Sequence, residues 1–159
     1  MKITIISVGK LKEKYLRDAV SEYSKRLSRY CKLNFIELTD EKTPDNASIA
    51  EKMQIKKREG DKILSQIKEN MFVIPLAIEG KSVSSEEFSK LINDKMVLGT
   101  SHITFIIGGS LGLSQDVINR GDVSISFSRM TFPHQIMKVI LLEQVYRVFK
   151  IISGEPYHK

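Results

Sequence analysis

Apolar residues along this chain switch repeatedly between two periods. Ile3, Ile5, Ile6 and Val8 crowd into a short β-branched run ended by Gly9 and Lys10, which predicts a strand over 3–8. From 12 to 30, Leu16, Ala19, Val20, Tyr23, Leu27 and Tyr30 recur every three or four positions, as one face of a helix does. Leu33, Phe35, Ile36 and Leu38 predict a second strand over 33–38. Pro44-Asp45-Asn46 then marks a helix start, and Ile49, Met53, Ile63, Leu64 and Ile67 carry a charged helix to about Asn70. Phe72 to Ile78 predicts a third strand with Pro75 inside it. A proline has no N–H to give a ladder, so this strand is expected to be bulged or at an edge near Pro75.

The second half repeats the alternation. Ser84-Ser85-Glu86-Glu87 is a capping box, with Ser84 as N-cap and Glu87 reaching back, and it opens a helix over 85–96 with Phe88, Leu91 and Ile92 inward. A fourth strand over 103–107, a short helix over 114–120 and a fifth strand over 123–127 follow. A last helix runs from about Pro133 to Ile151. Strands alternating with helices predict an α/β fold, a parallel sheet covered on both faces. No linker, repeat or low-complexity tract interrupts it, so residues 1–159 are expected to form one domain. In such sheets ligands bind beyond the carboxyl ends of the strands, which points to the segments after Ile78, Ile107 and Phe127.

Composition narrows the partners. With 25 Lys and Arg against 19 Asp and Glu the net charge is +6, which favours a polyanion such as nucleic acid without being specific for one. Lys52, Lys56, Lys57, Arg58 and Lys62 make a basic stripe on the long helix, but Glu51, Glu59, Asp61 and Glu69 interleave with it, so a solvated face is the preferred reading. Lys10, Lys12 and Lys14 form a competing patch. Cys31 is the only cysteine, which excludes an intrachain disulfide and a thiolate metal cage. The opening run is too short for a secretory h-region, and no stretch nears the roughly 20 apolar residues of a membrane span. A cytoplasmic protein with no membrane association is expected.

Three segments carry candidate chemistry. Residues 106–114, Ile-Ile-Gly-Gly-Ser-Leu-Gly-Leu-Ser, leave a buried strand for a helix. Glycines there permit close approach to bare backbone N–H groups, yet the spacing is neither a dinucleotide fingerprint nor a P-loop, and a purely steric turn is the simpler reading. Residues 126–135 join the fifth strand to the last helix. Thr131 is a candidate cap, Pro133 suits a first turn, and Phe127, Met130 and Phe132 are expected to wall a pocket or pack under a loop. His134 reads as a partly buried histidine at a helix start. The last helix is apolar nearly all round, so it is expected to be buried on all sides, one of them a subunit interface. Glu143, Gln144 and Arg147 upon it each need a partner.

Together these segments resemble the SPOUT superfamily of methyltransferases, and most closely its ribosomal RNA large subunit methyltransferase H family. The specific part is 106–114, then Met130-Thr131-Phe132-Pro133-His134-Gln135, then Leu142-Glu143-Gln144-Val145-Tyr146-Arg147, then Pro156-Tyr157-His158-Lys159. The resemblance spans essentially the whole chain. It implies a C-terminal trefoil knot within about 72–159, an exception to the rule against knots, and a homodimer. It also implies N3 methylation of a pseudouridine in 23S rRNA with S-adenosylmethionine as methyl donor. Leu76, Gly108, Phe127, Ser128, Arg129, Met130, Thr131 and Phe132 would contact that donor, and the tail would reach into the partner's site. Two positions depart from the family: Lys138 stands where many members carry arginine, and Pro75 precedes Leu76 where a plain strand residue is commoner.

The sulfonium of the donor is already electrophilic, so the reaction as implied needs no metal. What remains is orientation and removal of the imide proton. His158 is the first candidate to assist, since an imidazole titrates near neutral pH. Arg147 is the candidate to hold the nucleotide or its phosphate, and Tyr157 to pack on or hydrogen-bond to the base. Against this, Arg147 could simply neutralise Glu143 one helical turn away. Two other classes stay open: a non-enzymatic RNA-binding assembly factor with a methyltransferase-like fold, and a small-nucleotide-binding module with a flavodoxin-like sheet.

Overall fold

A computed structural model describes all residues, 1–159. Five strands form one parallel sheet: β1 (Lys2–Val8), β2 (Lys32–Leu38), β3 (Phe72–Ser82), β4 (His102–Ile107) and β5 (Ile125–Ser126), in the order β2-β1-β4-β3-β5. The helices are α1 (Lys14–Leu27), α2 (Ile49–Leu64), α3 (Ser85–Val97), α4 (Gln115–Arg120) and α5 (His134–Ile152). Side-chain alternation along the strands divides the core. Ile3, Ile5, Ile74, Ile103, Phe105 and Ile107 pack with Leu27, Phe88, Ile92 and Leu141 of α1, α3 and α5. Ile6, Val8, Val73 and Ile106 pack with Ile63 and Val117 of α2 and α4. Every residue of β4 is buried, as befits a central parallel strand. Its two polar members face the α2 side, where His102 hydrogen-bonds Thr4 at 2.9 Å.

Pro75 sits where its missing N–H does no harm. Val73, two residues earlier and so pointing its backbone the same way, accepts at its carbonyl from Asp122 N–H and donates its own N–H to Asp122 Oδ2 at 2.7 Å. Pairing of β3 with β5 begins only at Leu76, and its register then slips between Leu76 and Lys81. The strand is therefore locally an edge at Pro75 and irregular just after it, the two accommodations expected of a strand proline. The same feature shortens β5. Residues 122–124 reach β3 through the Asp122 carboxylate and single backbone bonds, so only Ile125 and Ser126 form a ladder rather than 123–127.

Two helices differ from expectation. α2 begins at Ile49, because Ser48 and Glu51 make a capping box and the Pro44 segment forms a turn ahead of it. It ends at Leu64, six residues short of Asn70, with Ser65 bonding back to Lys62 O. α5 starts at His134 with Pro133 as N-cap, so Thr131 does not cap it. The Ser84–Glu87 box is present as read. On α5, Leu141, Leu142, Val145, Val148 and Phe149 are buried, while Val139, Ile140, Tyr146, Ile151 and Ile152 stay half-buried and Ile136 is exposed, so within the chain the helix is not covered on every side. Lys138, also buried, donates to Glu37 Oε1 at 2.6 Å and so ties α5 to β2. No helix is long and apolar enough to cross a membrane.

Candidate functional site

A cleft of about 1270 Å³ opens along the second half of β3 and beyond the carboxyl ends of β4 and β5. Its walls are the segment after Leu76, the glycine turn 108–113, the loop 124–133, and Met53, Gln54, Lys56 and Lys57 of α2. Sterics shape the turn. A Cβ on Gly108 would lie 2.9 Å from Gly112 C and 3.0 Å from Leu113 Cδ2, so the chain can close on itself only without a side chain there. Gly112 takes φ +82°, a conformation that favours glycine. The backbone N–H groups of Gly108, Ser110 and Leu111 donate to no other group of the chain. A polar backbone left without partners at the wall of a cleft is poised to receive a ligand.

The loop after β5 forms the opposite wall. Ser126 Oγ donates to Ser128 O at 2.9 Å, and Met130 N–H donates to Ser128 Oγ at the same distance. Phe127 packs edge-on against Phe88 with ring centroids 5.7 Å apart, anchoring the loop to the core. Met130 and Phe132 are 72% and 38% exposed, an apolar surface left open at the cleft. Of the eight residues assigned to the methyl donor by resemblance, Leu76, Gly108, Phe127, Ser128, Met130, Thr131 and Phe132 line this cleft; Arg129 does not. His134 lines it too, half-buried against Gly9. The uncommitted backbone groups and open apolar wall fit a ligand with a flat ring and polar edges, as the methyl donor is. No three His, Cys, Asp or Glu side chains converge where they could hold a metal.

Arg147, Tyr157 and His158 are gathered elsewhere. Arg147 Nη2 donates to Glu143 Oε1 at 2.5 Å, so the i,i+4 pair is formed. Tyr157 OH donates to the same oxygen at 3.2 Å, and the guanidinium lies over the Tyr157 ring, 4.8 Å from its centroid. His158 bridges Arg147 Nη1 at 3.3 Å and Glu86 Oε1 at 2.8 Å. The His158 bond, the backbone and Ser84 hold the Glu86 carboxyl down at about 2. Burial and the Glu143 carboxylate push the Tyr157 phenol up, so it stays protonated at neutral pH and can serve as a donor rather than a base. Arg147 lies 13 residues beyond His134, about 20 Å along a helix. None of the three lines the cleft of its own chain.

One acidic group read as part of the solvated face of α2 is instead buried near the cleft. Glu59 of α2 is 5% exposed; its Oε1 accepts from Glu41 N–H at 3.1 Å, and its Oε2 has no partner. That oxygen sits under the glycine turn, 3.0 Å from where a Cβ on Gly109 would be. Burial pushes its carboxyl pKa up, with Asp40 and Glu41 adding to the effect. Of the lysine stripe, Lys57 pairs with Asp61, and Arg58 and Lys62 pair with Glu41, as a solvated face would, whereas Lys52 and Lys56 form no ion pair. Lys138, with its Nζ on Glu37, is a structural cation and not a phosphate ligand.

A family model described as "Predicted SPOUT methyltransferase" matches residues 1–158. The chain is 65% identical over 159 residues to "Ribosomal RNA large subunit methyltransferase H 1" of Clostridium perfringens (strain SM101 / Type A), covering all of both chains. It is similarly related to "Ribosomal RNA large subunit methyltransferase H" of Clostridium novyi (strain NT), at 64%, and of Clostridium botulinum (strain Loch Maree / Type A3), at 63%, again over the full length of both chains.

Proposed function

Because the chain belongs to the SPOUT methyltransferase family, we propose that it transfers the methyl group of S-adenosylmethionine to N3 of a pseudouridine in 23S rRNA, as a cytoplasmic homodimer. The observation that carries the reading is the cleft itself: a glycine turn with unspent N–H groups facing an exposed apolar wall at the carboxyl ends of parallel strands. S-adenosylmethionine, when bound, supplies an electrophilic methyl group. Leu76, Gly108, Phe127, Ser128, Met130, Thr131 and Phe132 would hold it, with Arg129 at the margin. The reading takes residues 1–159 as one SPOUT domain and carries with it the trefoil knot within about 72–159.

The chain's remaining tasks are to orient the base and to move a proton. Arg147 holds the nucleotide or its phosphate, Tyr157 packs on or donates to the base, and His158 assists removal of the N3 proton. Their distance from the cleft of their own chain favours delivery across a dimer, the half-open α5 being the natural surface for it. Calorimetry tests the first half: S-adenosylmethionine binding near micromolar is expected, and none at millimolar would favour the non-enzymatic assembly factor. Mass spectrometry of rRNA from a deletion strain tests the second. One pseudouridine lacking its methyl is expected, and a fully methylated rRNA would overturn the substrate.

A further inference from the structure

The turn between β1 and α1 has no regular secondary structure, yet it is tied down at four points. Gly9 N–H donates to Leu38 O at 2.8 Å. At φ +91° its bare Cα packs on His134, whose Nε2 would lie 2.9 Å from any Cβ. Lys12 N–H meets Gln135 Oε1 at 3.4 Å. Arg17, from the first turn of α1, spends its guanidinium on the carbonyls of Leu11 and Lys12. These contacts leave the side chains of Lys10 and Lys12 exposed and without an ion pair beside His134, a wall of the cleft. Across the same mouth, α2 contributes Lys56, also unpaired.

We propose that Lys10 and Lys12, presented by this strapped turn, form with Lys56 the rim that grips the RNA phosphates flanking the target base. The inference rests on the functional reading above and deepens it. A base entering the cleft brings its neighbouring phosphates to the mouth, so cations there are the ones a substrate can meet. The two carboxylates of the lining, Glu79 and Asp116, come from β3 and α4. The other basic cluster, Lys25, Arg29 and Lys32, lies at the opposite end of the sheet, where α1 ends and β2 begins. A seven-residue strand separates the two ends by about 20 Å. A turn fixed in advance also spares the ordering cost that a flexible loop would meet on binding.

The test is binding of large ribosomal subunits, isolated from a strain lacking the enzyme, at several salt concentrations, alongside calorimetry with S-adenosylmethionine. Lys10→Glu with Lys12→Glu is expected to weaken subunit binding more than tenfold. The log–log salt slope should become shallower by about 0.7 to 0.9 per lost phosphate contact. Methyl-donor affinity should stay within twofold, and Lys25→Glu with Lys32→Glu should bind subunits as the wild type does. Subunit binding that survives reversal at Lys10 and Lys12, or falls equally with the control pair, overturns the rim alone. Wild-type protein that takes the methyl donor but no subunit overturns the functional reading and the rim with it.

Discussion

The cleft and the tail cluster present opposite kinds of polar surface. Around Gly108 and the 127–132 loop, backbone N–H groups stand unused and large apolar side chains are open to solvent. Around Arg147, Tyr157 and His158 nearly every polar group is engaged, on Glu143, on Glu86 or on one another. A site built to receive a ligand is usually left unsatisfied at the contact points, because bonds already made must be broken first. The difference teaches that the two regions stand in different states of readiness. The cleft is pre-formed, whereas the tail residues must exchange their in-chain partners before they can touch a substrate.

The strongest way to break that comparison is to fill the turn. Gly108→Val places a branched side chain where a Cβ alone already meets Gly112 and Leu113, and methyl-donor affinity by calorimetry should fall at least a hundredfold. Near-normal affinity would show that the turn is only a chain reversal. Next, Arg147→Ala should leave donor affinity within about twofold and lower turnover at least a hundredfold, and deletion of Tyr157 to Lys159 should do the same with the dimer intact. Unchanged turnover in either would reduce the tail to packing. Each difference of a hundredfold corresponds to about 2.7 kcal/mol of transition-state stabilisation.

The smallest effect concerns Glu59. Its folded-state pKa is raised, so above the unfolded value of about 4.3 the unfolded chain gives up a proton that the folded chain retains. Stability falls as pH rises through that window and stays lowered above the folded value. Glu59→Gln removes the titration. Its Tm should exceed the wild type's at pH 7, and the gain should vanish near pH 4. A gain equal at both pH values would mean that the carboxylate is not what the turn senses.

Much of the fold was legible because the apolar period changes cleanly with each element, and Ser84 to Glu87 announced α3 by chemistry alone. The strand-end rule led to the segments after Ile78, Ile107 and Phe127, all of which border the cleft. Failures came where a local signal met a competing one. Pro44 looked like a helix start, but Ser48 and Glu51, four residues on, hold the true cap. The 123–127 run is apolar enough for a strand, yet Asp122 takes over the ladder's bonds at its start. Glu59 had a signal that was passed over: it lies midway between Ile55 and Ile63 at four-residue spacing, on the buried face of α2. Of the tail cluster's partners, Glu143 was legible from its helical spacing to Arg147, whereas Glu86 was beyond pattern reading, since 72 residues separate it from His158.

The strand order has a consequence for how the molecule comes into being. β4 lies between β1 and β3, although both are synthesised before it. Until residue 107 has left the ribosome, the two earlier strands have no common neighbour, and the nascent chain holds only the β1–α1–β2 unit as a plausible local nucleus. Pairings between Ile3 and Ile103, or Lys138 and Glu37, each close a loop of about a hundred residues. Loop-closure entropy on that scale places folding among slow, non-local topologies. Most of the sheet must therefore wait for translation to be nearly complete, leaving the apolar strands to be shielded in the interval.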